Sequence, residues 1–222
     1  MQFLSQLSLT SAPEAEDHRD QTLLLFQCQN HPGLCDEWDP NSGGNAAFLV
    51  TTKDRIPMPV PEGNTLLPED TPIQLVAYPA DSGGTPDDSY CEAFDAPGSE
   101  ALGKVGGTPL WIQNDETPAC ACGTRMSFIV QLEERGGGGI NFGGGGAGYA
   151  FICGVCRDRA KFLWLRVVTP NKSLERTRGK VASSHGCARR SAQPLGGNLA
   201  IHDGFNHSRR GVPTLALADE SE

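Results

Sequence analysis

A chain of 222 residues suits one large domain or two small ones and can bury a real core. Its formal net charge of −9 excludes a dedicated nucleic-acid binder, because phosphate contact needs a basic surface. No apolar run reaches the roughly 18 residues that span a bilayer. The opening MQFLSQLSLTSAPEAEDH has no basic n-region and no long apolar h-region, so it does not read as a secretory signal.

In chain order, AAFLVTT (46–52) is the first clear strand pattern, short and bounded by polar residues. IPMPVPEG (56–63) has alternating prolines that remove ladder donors, and reads as an extended connector or edge. IQLVAY (73–78) is a second strand, and GSEALGKV (98–105) a short helical turn. MSFIVQL (126–132), GYAFIC (148–153) and KFLWLRVV (161–168) are three more strands, β-branched or aromatic and flanked by glycine or charge. The stretch RGGGGINFGGGG between the first two of these lacks the Lys-Ser/Thr of a phosphate loop and opens no helix, so it reads as a flexible hairpin loop. Beyond Pro170 the character changes. Residues 171–222 carry 8 Lys and Arg against 5 Asp and Glu, whereas residues 1–170 carry 10 against 22. The later segment has a single aromatic, Phe205, and no period of either kind. The reading is therefore a β-rich domain over 1–170 and a disordered tail over 171–222, which cannot bury enough apolar surface to offset the entropy of ordering.

The chain also resembles itself. Met1, Phe3, Gln6 and Leu7 align without gaps on Met126, Phe128, Gln131 and Leu132, and Phe26 and Cys28 then fall on Phe151 and Cys153. This predicts a degenerate two-fold repeat of a strand–loop–strand unit in an α+β, β-rich fold. The glutamine repeated inside two apolar strands predicts a buried hydrogen bond that fixes register.

Eight cysteines in a chain read as cytoplasmic, where thiols stay reduced, point to metal or reactive thiols more than to disulfides. Cys120 and Cys122 precede one strand and Cys153 and Cys156 follow the next, so a hairpin would carry both pairs to its open end. Two pairs from two turns are the donor set of a tetrahedral structural zinc site. The one-residue spacing of Cys120 and Cys122 requires the chain to bend there, since alternate residues of a strand face opposite ways. Cys28 and Cys35 would be the stranded half of a second site, because the positions matching Cys120 and Cys122 precede Met1. Either the first unit is truncated at its N-terminus and the true start lies upstream, or this copy has no complete four-sulfur site. His31 could add a ligand, but beside Pro32 it reads as exposed.

The words GGTPLWIQNDETPACACGTRMSFIVQLEE, FGGGGAGYAFIC and KFLWL, with LLLFQCQNHPGLCDEWDPNSGGNAA, resemble the bacterial YwqG-like family, a domain of unknown function. The likeness covers most of residues 1–170 and none of the tail. There is a fainter similarity to the programmed-cell-death protein family, which has similar cysteine pairs and escorts a ribosomal protein. The first resemblance implies a β-rich fold with no established reaction, and the second implies a protein-binding role. No nucleophile, base and orienting group are legible together. Asp36-Glu37 and Asp87-Asp88 read as solvated loop charge, and Trp111 as core. The first reading is thus a non-enzymatic zinc-binding module whose partner is another protein, with no nucleic acid and no membrane. The alternatives are a cysteine-based hydrolase or thiol enzyme, and a truncated product with no function.

Overall fold

Alternating side chains and the burial of one or both faces set nine strands, among the described residues, in two antiparallel sheets. A computed structural model of the chain describes residues 1–29, 34–51, 53, 73–77, 90, 101–134, 139–166 and 199–203. The smaller sheet has the order β1-β2-β3, from Gln2–Ser8 (β1), Gln21–Gln27 (β2) and Asn45–Thr51 (β3). The larger has the order β4-β9-β5-β6-β7-β8, from Ile73–Ala77 (β4), Ala101–Val105 (β5), Ser127–Glu133 (β6), Ala147–Ile152 (β7), Ala160–Leu165 (β8) and Leu199–Asp203 (β9). Two 3-10 turns, Leu9–Ser11 and Pro13–His18, lie in the β1–β2 connection, and of the other described residues only Lys53 and Tyr90 are helical. The fold is β-rich, and its described part supplies no α layer.

The sheets share one core. Leu7, Leu23 and Leu25 of the smaller sheet pack with Ile129, Ala150, Ile152 and Phe162 of the larger. The other face of the larger sheet carries a second cluster around Phe128, Tyr149, Phe151 and Leu163. Strand β7 is consequently buried on both sides along its whole length. At Gly148 an added Cβ would lie 2.6 Å from the Phe162 ring and 2.7 Å from that of Phe142.

Hairpins β1–β2 and β6–β7 are paired alike. Phe3 faces Phe26 and Phe128 faces Phe151, and in both hairpins the register shifts just past that pair, between Phe3 and Ser5 and between Phe128 and Val130. Pairing then resumes from Ser5–Leu25 to Ser8–Thr22, and from Val130–Ala150 to Glu133–Ala147. The two phenylalanine pairs meet edge-on at 5.6 and 5.9 Å between ring centroids. Each hairpin leads into a third antiparallel strand, β3 or β8, through a loop closed by one backbone bond: Cys28 N to Gly44 O at 2.8 Å, and Cys153 N to Arg159 O at 3.0 Å.

Two expectations are corrected. Residues 101–105 form strand β5 rather than a helical turn. The strand approaches β6 so closely that a Cβ at Gly103, whose φ is +152°, would sit 2.1 Å from the Gln131 carbonyl oxygen. The tail expectation fails at 199–203. These residues form β9 between β4 and β5, and Ile201 is buried in the shared core. The rest of 171–222 lies outside the described residues, as do the 56–63 connector, His31 and Asp87-Asp88.

The glycine stretch is ordered over 139–146. The Glu134 carboxylate accepts four backbone N–H groups through Oε2, from Phe142 at 2.8, Gly144 at 3.0, Gly145 at 3.1 and Gly146 at 3.3 Å. Gly143, Gly144 and Gly145 hold positive φ, which turns those amides inward. A concavity of amides that could hold an external anion is thus filled by the protein's own carboxylate.

Candidate metal centre

Cys120 and Cys122 sit on a tight turn immediately before β6. The turn is closed by an Ala119–Arg125 bridge and by bonds from Cys120 N to Thr124 O at 2.8 Å and Gly123 N to Cys120 O at 2.9 Å. Gly123 takes φ +87° with open space around it, so the turn needs glycine for its backbone and not for room. This is the bend that the one-residue spacing requires. Cys153 and Cys156 follow β7, and the amides of Val155 and Cys156 point at Cys153 Sγ from 3.4 and 3.3 Å.

The β6–β7 hairpin brings the two turns together. All four sulfurs lie within 4.8 Å of one another, and Cys122 Sγ is 3.7 Å from Cys153 Sγ. Four sulfurs around one ion at about 2.3 Å must be roughly 4 Å apart, so this set could hold a single metal ion. Four thiolates match a tetrahedral, thiophilic ion of the zinc or iron class. Cys120 and Cys153 are buried, Cys156 is half-buried and Cys122 is exposed. Thr124, through its hydroxyl and its amide, holds the Cys122 thiol down to about 6. The sulfur of Cys122, followed by burial, pushes Cys156 up to about 12.

A polar network lies on the same face. Leu110 N donates to Gln131 Oε1 at 2.9 Å, and Gln131 Nε2 donates to Glu133 at 2.6 Å. The Tyr149 hydroxyl donates to Leu110 O at 2.8 Å. Burial, then the charge of Glu133, raises the Tyr149 hydroxyl well above the usual phenol range. These bonds clamp the segment before Trp111 across the hairpin. Trp111 stacks on Phe151, 5.9 Å between centroids and 13° between planes, and lies 4.6 Å from the Tyr149 ring. The buried hydrogen bond expected of the repeated glutamine therefore exists at Gln131. At Gln6 it does not, because that side chain is exposed.

Cys28 and Cys35 are not among the four sulfurs. They meet at the end of β2, 3.2 Å apart. Beside them Glu37 is 0 % exposed and accepts from Cys35 N at 3.3 Å, which corrects the reading of that carboxylate as solvated; Asp36 is exposed. Sequence reasoning missed Glu37, Glu134 and Glu14, the last of which accepts from Gly107 N at 2.7 Å. The local signal was a glycine-rich turn close by in sequence for Glu134 and Glu37, whereas Glu14 meets Gly107 from far along the chain. An open groove of about 700 Å³ runs beside the centre, between Trp38, Asp115, Glu116 and the edge strand residues Lys161 and Leu163.

No protein-family model, curated protein or solved structure matches the chain. No helix among the described residues is long and apolar enough to cross a membrane.

Proposed function

We propose that the chain is a non-enzymatic, zinc-binding protein-interaction module of the YwqG-like kind, acting in the bacterial cytoplasm and descended from a duplicated β-meander. The matching pairing of β1–β2–β3 and β6–β7–β8, including the shared register shift, supports the duplication. The four-thiolate donor set supports zinc.

The interaction role is carried by one contrast between the meanders. On the second, the face of Phe128, Tyr149 and Phe151 is covered by Trp111 and its segment. On the first, the corresponding face is a row of rings, Phe3 to Phe26 at 5.6 Å and Phe26 to Phe48 at 5.8 Å, and Phe48 is 52 % exposed. Aromatic rings in a row on an open sheet face are a favourable anchor surface for a partner. The partner would supply an apolar or aromatic segment of its own, as Trp111 does within the chain.

The test has two arms. Metal analysis of purified protein should give one zinc per chain. Proteins co-purifying with the wild type should be lost from Phe48→Glu, which keeps its zinc. Metal-free protein, or a partner set unchanged by Phe48→Glu, contradicts the reading. A thiol enzyme is the second reading, favoured by the exposed, acidic thiol of Cys122. It requires that thiol to react with substrate while zinc is absent, so the metal analysis separates the two.

A further inference from the structure

The Cys28–Cys35 pair is separate from the four-sulfur centre and has its own chemistry. Cys28 ends β2 in the place that Cys153 has at the end of β7, with its amide bonded across the loop to Gly44 O. Cys35 lies at the same end of the strand, and the two sulfurs stand 3.2 Å apart. Both residues are partly exposed. The return is held at its far side: Glu37 accepts from Cys35 N, and Asn45 Nδ2 donates to Glu37 O at 2.7 Å. A Cβ at Gly44 would come within 2.2 Å of the Cys35 carbonyl oxygen, so the two arms of the loop are in close contact.

A tetrahedral ion needs four donors. Among the described residues, the only group of three or more Cys, His, Asp or Glu with mutually reachable donor atoms is the set at Cys120, Cys122, Cys153 and Cys156. Among the described residues the Cys28–Cys35 pair belongs to no such donor set, and it has the proximity of a disulfide. An S–S bond is about 2.05 Å long, so the sulfurs need to close by only roughly 1.1 Å. We propose that Cys28 and Cys35 form a reversible disulfide, a redox-modification site distinct from the metal centre.

The oxidant is a small-molecule disulfide of the glutathione class. One thiolate attacks it, forming a mixed disulfide and releasing one thiol. The second protein thiol, giving up its proton, then attacks the mixed disulfide and releases the other. Two protein thiols are oxidised to one disulfide, and one small disulfide is reduced to two thiols. The hydrogen bond between the two sulfurs, followed by burial, raises Cys35 above the ordinary thiol range, so it stays protonated in the reduced pair.

The experiment uses the full chain, zinc-loaded, equilibrated in buffers from fully reduced to fully oxidised glutathione. Samples are quenched in acid, alkylated and digested with trypsin. Arg19 and Lys53 are successive tryptic sites, so one peptide, 20–53, carries both cysteines. Under oxidising buffer this peptide should take up neither label and be lighter by two hydrogens. It should recover both labels when reduced glutathione is restored. Cys28→Ser should leave Cys35 holding a stable glutathione adduct. The proposal is overturned if the peptide stays doubly labelled in fully oxidised buffer, or if wild type takes up glutathione there without closing the ring. A second metal ion per chain, lost in Cys28→Ser, would also overturn it.

Discussion

Cys122 is the most exposed sulfur of the centre, and Thr124 holds its thiol down to about 6. In metal-free protein, alkylation of Cys122 should therefore be slow below about pH 6, where the thiol is protonated, and rise to a plateau above it. Iodoacetamide kinetics localised by mass spectrometry will check this; a midpoint near that of an ordinary thiol would contradict it. Zinc should suppress the reaction across the range, because a coordinated thiolate has its lone pair engaged. Cys153→Ser removes a buried ligand and leaves three. It should lose the zinc and lower the melting temperature sharply, since the binding energy of a structural zinc, on the order of 10 kcal/mol, is also folding energy. Metal content measured beside thermal unfolding distinguishes this from Cys28→Ser, which should keep its zinc. The four cysteines were legible in the sequence because spacing and hairpin logic are local. Glu37 and Glu134 were not, because a carboxylate is read as solvated until the amides that surround it have been placed by the fold.

Among the elements, β6, β7 and β8 could be read directly, because each is long, apolar and buried enough to carry its own pattern. Strand β5, ALGKV, contains good helix formers, and only its neighbours β6 and β9 make it a strand. The five residues of β9 are too few to show a period, and their charged and polar surroundings hid them. Six identities point to a repeat, but the register shift that hairpins β1–β2 and β6–β7 share is visible only in the pairing. The double burial of β7 gives a direct test. Gly148→Ala forces a methyl group against the Phe162 and Phe142 rings, so it should destabilise by about 1–3 kcal/mol, the usual cost of overpacking. Urea unfolding of the variant will measure it, and an unchanged midpoint would mean that those rings have room to retreat.

For the molecule as a whole, the boundary at Pro170 does not separate a domain from an appendage. Ending the chain there removes β9, strips both β4 and β5 of a ladder partner and takes Ile201 out of the shared core. Exposed ladder edges invite association. The truncated protein should unfold at lower urea concentration and aggregate more readily than the full chain, whereas truncation after Asp203 should do neither through the loss of this sheet. Light scattering and urea titration of the two truncations will separate the cases.

The placement of β9 also sets a clock on biosynthesis. Strand β5 ends at Val105 and the strand that completes its sheet begins at Leu199. At roughly 5–20 residues per second, the ribosome spends about 5–20 s between them. Strand β8 ends at Leu165, so for the last part of that interval, about 2–7 s, β5 to β8 can assemble and their cysteines can capture an ion, while β4 still has no place in the ladder. The nascent chain thus carries a metal-ready meander before its larger sheet can close, and the order of events is built into the order of the strands.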